Sequence, residues 1–280
     1  MTLSARPRLM AVSLAALTGC AGLSQGLRTV EVANAAMDCD SQRKEERLLA
    51  LLDESKGQPP PNPPQELALT LLAMHRVKQG RLDDAEAYMR QLLALREATP
   101  NASPASIAEA LDLFVPLYAQ QQHFDKAEEY LLRAQKLRVD GLGADDQRSL
   151  DGMNRTGNYY LERQNLNEAA RYYEDSRGRS KGNVRDALIH AFALRGLAEV
   201  ASANGRRLEA EKHFRSALEA WALAQAPEPT KLVILEGYAK LLDSLGRAND
   251  AAPLVAEASA IRRRMEEARM QREAEGKCIP

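Results

Sequence analysis

Three cysteines and four histidines are the side chains in this 280-residue sequence best suited to covalent or metal chemistry. Cys20, Cys39 and Cys278 offer thiols, and His75, His123, His190 and His213 offer imidazoles. A metal centre or a nucleophile–base pair needs such groups at short, defined spacings. None of the histidines has a carboxylate or cysteine partner at a metal-ligand spacing. The chain has no glycine-rich phosphate loop and no nucleophile elbow. Its many Asp and Glu residues stand one helical turn from Lys and Arg, as on a solvated helix face. The expectation is a non-enzymatic protein with no catalytic residue, no metal and no cofactor. Lys plus Arg number 38 against 39 Asp plus Glu. That balance, without a long run of one sign, argues against nucleic acid as a partner.

The elements that position everything else come from a repeat. The stretch Gly80-Arg81-Leu82-Asp83-Asp84-Ala85-Glu86 returns four more times, with its alanine at 85, 127, 169, 210 and 251. A fixed period in the range of roughly 20–50 residues marks a solenoid of stacked supersecondary units. In each copy a short turn with Gly or Asn closes one helix. An acidic or amide residue, as at Asp83, Asp125 and Asn167, is expected to cap the next. Twelve residues before each alanine lie Ala73, Val115, Gly157, Ala198 and Ala239, mostly small, as a close helix crossing demands. Four residues earlier stand Leu69, Leu111, Met153, Leu194 and Leu235, all large and apolar. Seven after the alanine stand Leu92, Ala134, Ser176, Ala217 and Ala258. Apolar positions within each half follow the stripe of an amphipathic helix.

Large then small in a first helix, a glycine turn, then alanine in a second helix resembles the tetratricopeptide repeat (TPR). The step of 41 or 42 residues is similar to the kinesin-light-chain type. The resemblance covers roughly residues 66–265. Val115, Thr156 and Arg76 depart from the family pattern, whereas Tyr118 and Tyr160 match its aromatic position. The resemblance implies a concave surface, lined by the first helices, that holds an extended or helical peptide. Its inward positions fall on Asn154 and Asn158 in the third repeat, Arg195 and Glu199 in the fourth, and Glu236 and Lys240 in the fifth. Thr70 and Met74 hold these positions in the first repeat, and Asp112 and Pro116 in the second. Asparagine there can bond a peptide backbone as donor and acceptor. Arg195/Glu199 and Glu236/Lys240 also read as ordinary i, i+4 ion pairs.

Residues 1–19 read as a signal peptide. Arg6 and Arg8 make a positive start, and Leu9 to Leu17 is an apolar run too short to span a bilayer, which takes about 20 helical residues. Leu17-Thr18-Gly19-Cys20 resembles the bacterial lipoprotein box, which implies lipid attachment (diacylglycerol and palmitate-type chains) on Cys20. An ordinary signal peptide with a chance cysteine is the alternative. Ala21 in place of Asp implies, by that family's sorting rule, the outer membrane. Two or more acyl chains anchor stably where one does not.

The remaining organisation follows in order. Residues 20–40 read as a lipidated tether, part of which (Val30–Met37) can form a helix. Residues 41–64 hold a capping helix, 41–56, and a proline-rich spacer, 57–64, expected to be extended; a polyproline ligand is the second reading. Residues 65–275 form the solenoid, pairing 65–79 with 83–97, 104–121 with 125–138, 146–163 with 167–178, 185–203 with 208–224 and 230–245 with 250–275. Asp140–Gly143 and Gly178–Asn183 are expected as joints. Pro116 falls inside a helix and should kink it or break a backbone bond, whereas Pro253 falls in a first turn and is tolerated. The last helix reads as a solvating cap or a docking or dimer surface, followed by a tail at 276–280. Cys39 and Cys278 invite a disulfide in an oxidising envelope, although they flank opposite ends of the stack.

The combined expectation is all-α: a right-handed superhelical solenoid of about five TPR-like hairpins with a terminal half-repeat and a long C-terminal helix. It would sit on the outer membrane through lipid on Cys20, with the solenoid in the periplasm. There it would serve as an adaptor or assembly factor for another envelope protein or peptide segment. The alternative is a small-ligand-binding or hydrolytic envelope protein with a cavity between repeats.

Overall fold

The computed structural model describes residues 41–180 and 184–275, and every regular element among them is helical. Helix α1 (Ser41–Ser55) precedes five hairpins. They are α2 (Pro63–Lys78) with α3 (Leu82–Ala98), and α4 plus α5 (Pro104–Asp112, Phe114–Gln120) with α6 (Phe124–Leu142). Then come α7 (Gln147–Glu162) with α8 (Leu166–Ser180), α9 (Ala187–Ala203) with α10 (Arg207–Ala224), and α11 (Leu232–Ser244) with α12 (Ala248–Ala274). A 3₁₀ turn, Glu228–Lys231, leads into α11. Each hairpin packs on the next in chain order. This is the expected all-α solenoid, with α1 covering its N-terminal end.

Small residues let the hairpins close. Ala85, Ala127, Ala169, Ala210 and Ala251 are buried, and so are Ala73, Gly157, Ala198 and Ala239 opposite them. Val115 is half-buried, in a helix broken at Leu113. The break answers Pro116, which has no N–H for the Asp112 carbonyl. Four residues after the first four of these alanines, Met89, Leu131, Tyr173 and Phe214 are buried, and the rings of Tyr173 and Phe214 lie against Gly196 and Gly237 of the next hairpin.

The turns within the hairpins share one geometry. Gly80, Gln122, Gln164, Gly205 and Gly246 all have positive φ, between 59° and 74°. The following N–H reaches back five residues, as in Arg81 to the Arg76 carbonyl (2.9 Å) and Asn165 to that of Tyr160 (2.9 Å). The residue with positive φ adds a second hydrogen bond, as in Gly80 N–H to the Val77 carbonyl (3.0 Å), and the two satisfy the last carbonyls of the departing helix. They also move the helix starts earlier than expected. Arg81 and His123 are the cap residues, without side-chain capping bonds, so Asp83 and Asp125 stand inside the first turn, where they face the positive helix end. Asn165, not Asn167, caps α8, accepting from the Glu168 N–H at 3.3 Å.

Three further expectations are corrected. Pro63 and Pro64 open α2 instead of extending the spacer, and buried Asn62 caps that helix while donating to the Ser55 carbonyl at 2.9 Å. Gly141 is not a joint residue: α6 runs to Leu142, and a Cβ on Gly141 would lie 2.3 Å from the Pro104 ring, so the close approach requires glycine. Pro253 lies in the second turn of α12, because that helix begins at Ala248. There it is exposed, while Ala251, Ala258 and Ile261 hold the helix down.

A polar latch ties most hairpins to their predecessor. Arg76, the departure from the aromatic pattern, bonds Glu45 of α1 through both terminal nitrogens at 2.6 Å. At the matching positions Tyr118 donates to Glu86 at 2.7 Å and Tyr160 to Glu128 at 2.6 Å. In the last hairpin Tyr238 donates to Glu211 at 3.2 Å, and Arg247 grips the same carboxylate at 2.8 Å.

Candidate interaction groove

The first helices of the later hairpins, α4, α7, α9 and α11, share one side of the stack. Two contiguous hollows run along it and meet at Asp151 and Arg155. One, of about 330 Å³, has Ala105, Leu188 and Ile189 for apolar floor and Arg138, Arg148, Arg155 and Arg185 among its walls. The other, of about 480 Å³, combines Leu161, Phe192, Pro229 and Val233 with Asn154, Asn158, Arg195 and Glu199.

Four of the six residues expected to face a partner therefore meet in one hollow. Asn158 Oδ1 accepts from Tyr173 Oη and from Arg195 Nη2, both at 2.7 Å, and Arg195 Nη1 bonds Glu199 at 2.7 Å. Tyr173 comes from α8, behind the groove, and burial raises its phenol pKa, so it stays a donor. Asn154 is 4% exposed and spans to the next hairpin, its Nδ2 donating to the Ile189 carbonyl at 2.9 Å. Glu236 and Lys240 lie outside this hollow and do not pair with each other. Glu236 takes Arg262 of α12 at 2.5 Å, and Lys240 points to solvent. Arg195 and Glu199 do form the i, i+4 pair.

The arginines of the first hollow are largely neutralised. Arg138 and Arg155 share Asp112, Arg155 also reaches Asp151 at 2.6 Å, and Arg148 folds onto Asp146 at 3.0 Å. The hydrogen bond from Arg148 is the main reason that the Asp146 carboxyl titrates below the usual carboxylate range. The groove thus offers shape and hydrogen-bonding groups more than net charge.

Thr70 and Met74 belong to α2, away from both hollows, and Pro116 is exposed on α5. The histidines remain dispersed. His75 stands 3.5 Å from Glu45, His213 stands 3.6 Å from Glu209, and His190 meets Ser180 at 2.9 Å. Among the described residues no group of His, Cys, Asp and Glu is placed to hold a metal, and no helix is long and apolar enough to cross a membrane. Cys20, Cys39 and Cys278, with the signal, tether and tail, lie outside the described residues.

Sequence reasoning did not single out Tyr173, Phe192, Val233, Gly196 or Gly237. The signal was available for three of them: Tyr173 and Phe214 fall at the same repeat position, and Gly196 and Gly237 fall at another.

No family model and no curated protein sequence matches the chain. Solved structures do. BtubC (BKLC) from P. vanneervenii superposes with a TM-score of 0.59 at 16% identity, over 89% of this chain and 93% of that one. NprR in complex with its cognate peptide NprX gives 0.58 at 14% identity, over 84% of this chain and 66% of that one. PilW, a type IV pilus biogenesis factor, gives 0.53 at 15% identity, over 87% of this chain and 94% of that one. The fold is therefore the TPR-like helical solenoid, of the kind found in kinesin-light-chain-like repeats.

Proposed function

We propose that this chain is a non-enzymatic adaptor or assembly factor of the bacterial cell envelope that captures a segment of another protein. The observation that carries this reading is the open groove across three successive hairpins, where an apolar floor alternates with fixed polar groups. Peptide sites combine such apolar seats with a few oriented polar contacts. NprR, which shares the fold, is crystallised with a peptide, and PilW serves pilus biogenesis.

The segment before the solenoid completes the proposal. A signal peptide over 1–19 and lipid on Cys20 would hold the chain at the outer membrane, with 20–40 as tether. Confinement raises the effective concentration of the groove near a membrane-bound partner, so modest affinity suffices.

Two measurements test it. Palmitate labelling should tag the full chain and not Cys20→Ala. Crosslinking in cells should trap a specific envelope protein through the groove, and the charge reversal Glu199→Lys with Val233→Asp should abolish that crosslink. A crosslinked partner indifferent to those substitutions would end the groove assignment.

A further inference from the structure

The groove carries little net charge, but in its larger hollow one charge has no partner. Among the described residues, the ionisable side chains lining that 480 Å³ space are Asp151, Arg155, Glu162, Arg195 and Glu199. Arg155 is shared by Asp151 at 2.6 Å and Asp112 at 2.8 Å. Arg195 holds Glu199 and Asn158, both at 2.7 Å, and its Nε is fully enclosed. The Glu162 carboxylate makes no ion pair or hydrogen bond among the described residues. It is exposed, and it belongs to the last residue of α7, where the negative end of the helix disfavours an anion. The neighbouring Arg163 is committed elsewhere, its guanidinium 3.5 Å from the ring centroid of Phe124 in the preceding hairpin. Burial is the main cause of the raised Tyr173 pKa, and Glu199 and Glu162 both add to it, so both carboxylates lie within electrostatic reach of that hydroxyl. The same repeat position carries Lys78, Gln120, Ala203 and Ser244 in the other hairpins, so the third is alone in placing an anion there.

From this uncommitted carboxylate and the apolar surface beside it we infer that the larger hollow is a seat for one cationic side chain, a lysine or arginine of the captured segment. The stem of that side chain lies along Leu161, Phe192 and Val233, as long cationic side chains do on apolar surface. Its charged head meets Glu162, with Glu199 as the second carboxylate of the same hollow. The head also answers the negative end of α7. An acidic side chain is turned away, because both arginines of the hollow are already held by carboxylates and Glu162 repels it. An apolar side chain lying over Glu162 strips water from the carboxylate and returns nothing for it. The specificity therefore comes from Glu162, a residue particular to the third hairpin, and not from a feature that every repeat shares.

The inference rests on the groove reading above and is tested separately from it. Capped twelve-residue peptides of random sequence are arrayed against the full chain, and the tightest binder is resynthesised with norleucine in place of each Lys or Arg in turn. One of these changes should weaken binding by about tenfold, the loss of one charge-assisted hydrogen bond. Raising the salt concentration should shrink that difference. Glu162→Gln should weaken the parent peptide by a similar factor with the melting temperature retained, and should leave the norleucine peptide unaffected. Glu162→Lys should bind the peptide carrying Glu at that position better than it binds the parent. Selected binders without an enriched Lys or Arg, or affinities indifferent to both Glu162 substitutions, overturn the cation seat while leaving the groove in place. Binding unchanged in the Glu199→Lys, Val233→Asp variant removes the groove reading itself, and with it this inference.

Discussion

The ring of Tyr173 occupies space that exists only because residue 196 is glycine: a Cβ on Gly196 would stand 2.3 Å from it. Gly157 borders the same ring, where a Cβ would stand 2.7 Å away. The third and fourth hairpins are thus joined by a large side chain pressed against bare backbone. Neither the ring nor the two helices can shift without opening a void. Gly196→Ala should therefore destabilise the fold by about 1–3 kcal/mol. Denaturant unfolding measures this, and a cost under about 0.5 kcal/mol would show that the joint is loose.

The same repeat position has opposite worth at the end of the stack. Phe214 is buried against the next hairpin, whereas Val255, its counterpart 41 residues on, is 47% exposed. Phe214→Ala should cost about 3–5 kcal/mol, and Val255→Ala should lie within about 0.5 kcal/mol of neutral. Equal effects would contradict this ordering.

Arg76 and Glu45 latch α1 onto α2 with side chains 5% and 21% exposed. Removing one partner strands the other, so Arg76→Ala should cost about 3 kcal/mol, and Glu45→Ala about as much. Exchanging the pair for Met and Leu should cost clearly less than either single change. A double-mutant cycle reads the coupling directly.

Gln122 and Gln164 adopt the left-handed turn that glycine fills in the other three hairpins. Changing either to glycine relieves a side-chain penalty of roughly 1–2 kcal/mol against a smaller gain in unfolded-chain freedom. Each substitution should raise stability by about 0.5 kcal/mol. A lower melting temperature in both would show that the glutamine side chains contribute something the turn geometry does not.

Acid should weaken the solenoid in two stages. Burial lowers the pKa of His75, His190 and His213 below the ordinary value of about 6.5. The unfolded chain therefore takes these protons first, so stability is full above about pH 6.5 and declines as pH falls below it. Glu211 is lowered chiefly by its hydrogen bond from Arg247. Glu45 is lowered by Arg76 against the opposing, larger single effect of burial. Their stabilisation is complete above the unfolded carboxylate pKa of about 4.3 and is lost as pH falls through their folded values. Melts between pH 8 and 3 check this; a melting temperature constant from pH 7 to 5 would remove the histidine stage.

Much of the architecture was legible in one dimension. The alanine register from Ala85 to Ala251 fixes where helices cross, because only a small side chain admits a neighbour at that distance, and the structure buries all five. Leu69 and Met153 likewise show their burial through spacing alone. Helix edges were less legible at Asp83 and Pro253, because backbone bonds of the turn, not side-chain caps, decide where these helices begin, and at Pro63, where the cap comes from the buried side chain of Asn62. The inward-facing positions could be counted from the repeat, but their states could not. That Asn154 is spent on the Ile189 carbonyl, that Asn158 is held by Tyr173, and that Glu236 turns to Arg262 instead of Lys240 depend on residues 26 to 37 positions away or on a different helix. Sequence periodicity encodes which face a residue occupies, since that follows from helical pitch. It does not encode which hydrogen-bonding partner wins on that face, since the winner is set by distances between helices that exist only once the hairpins have stacked.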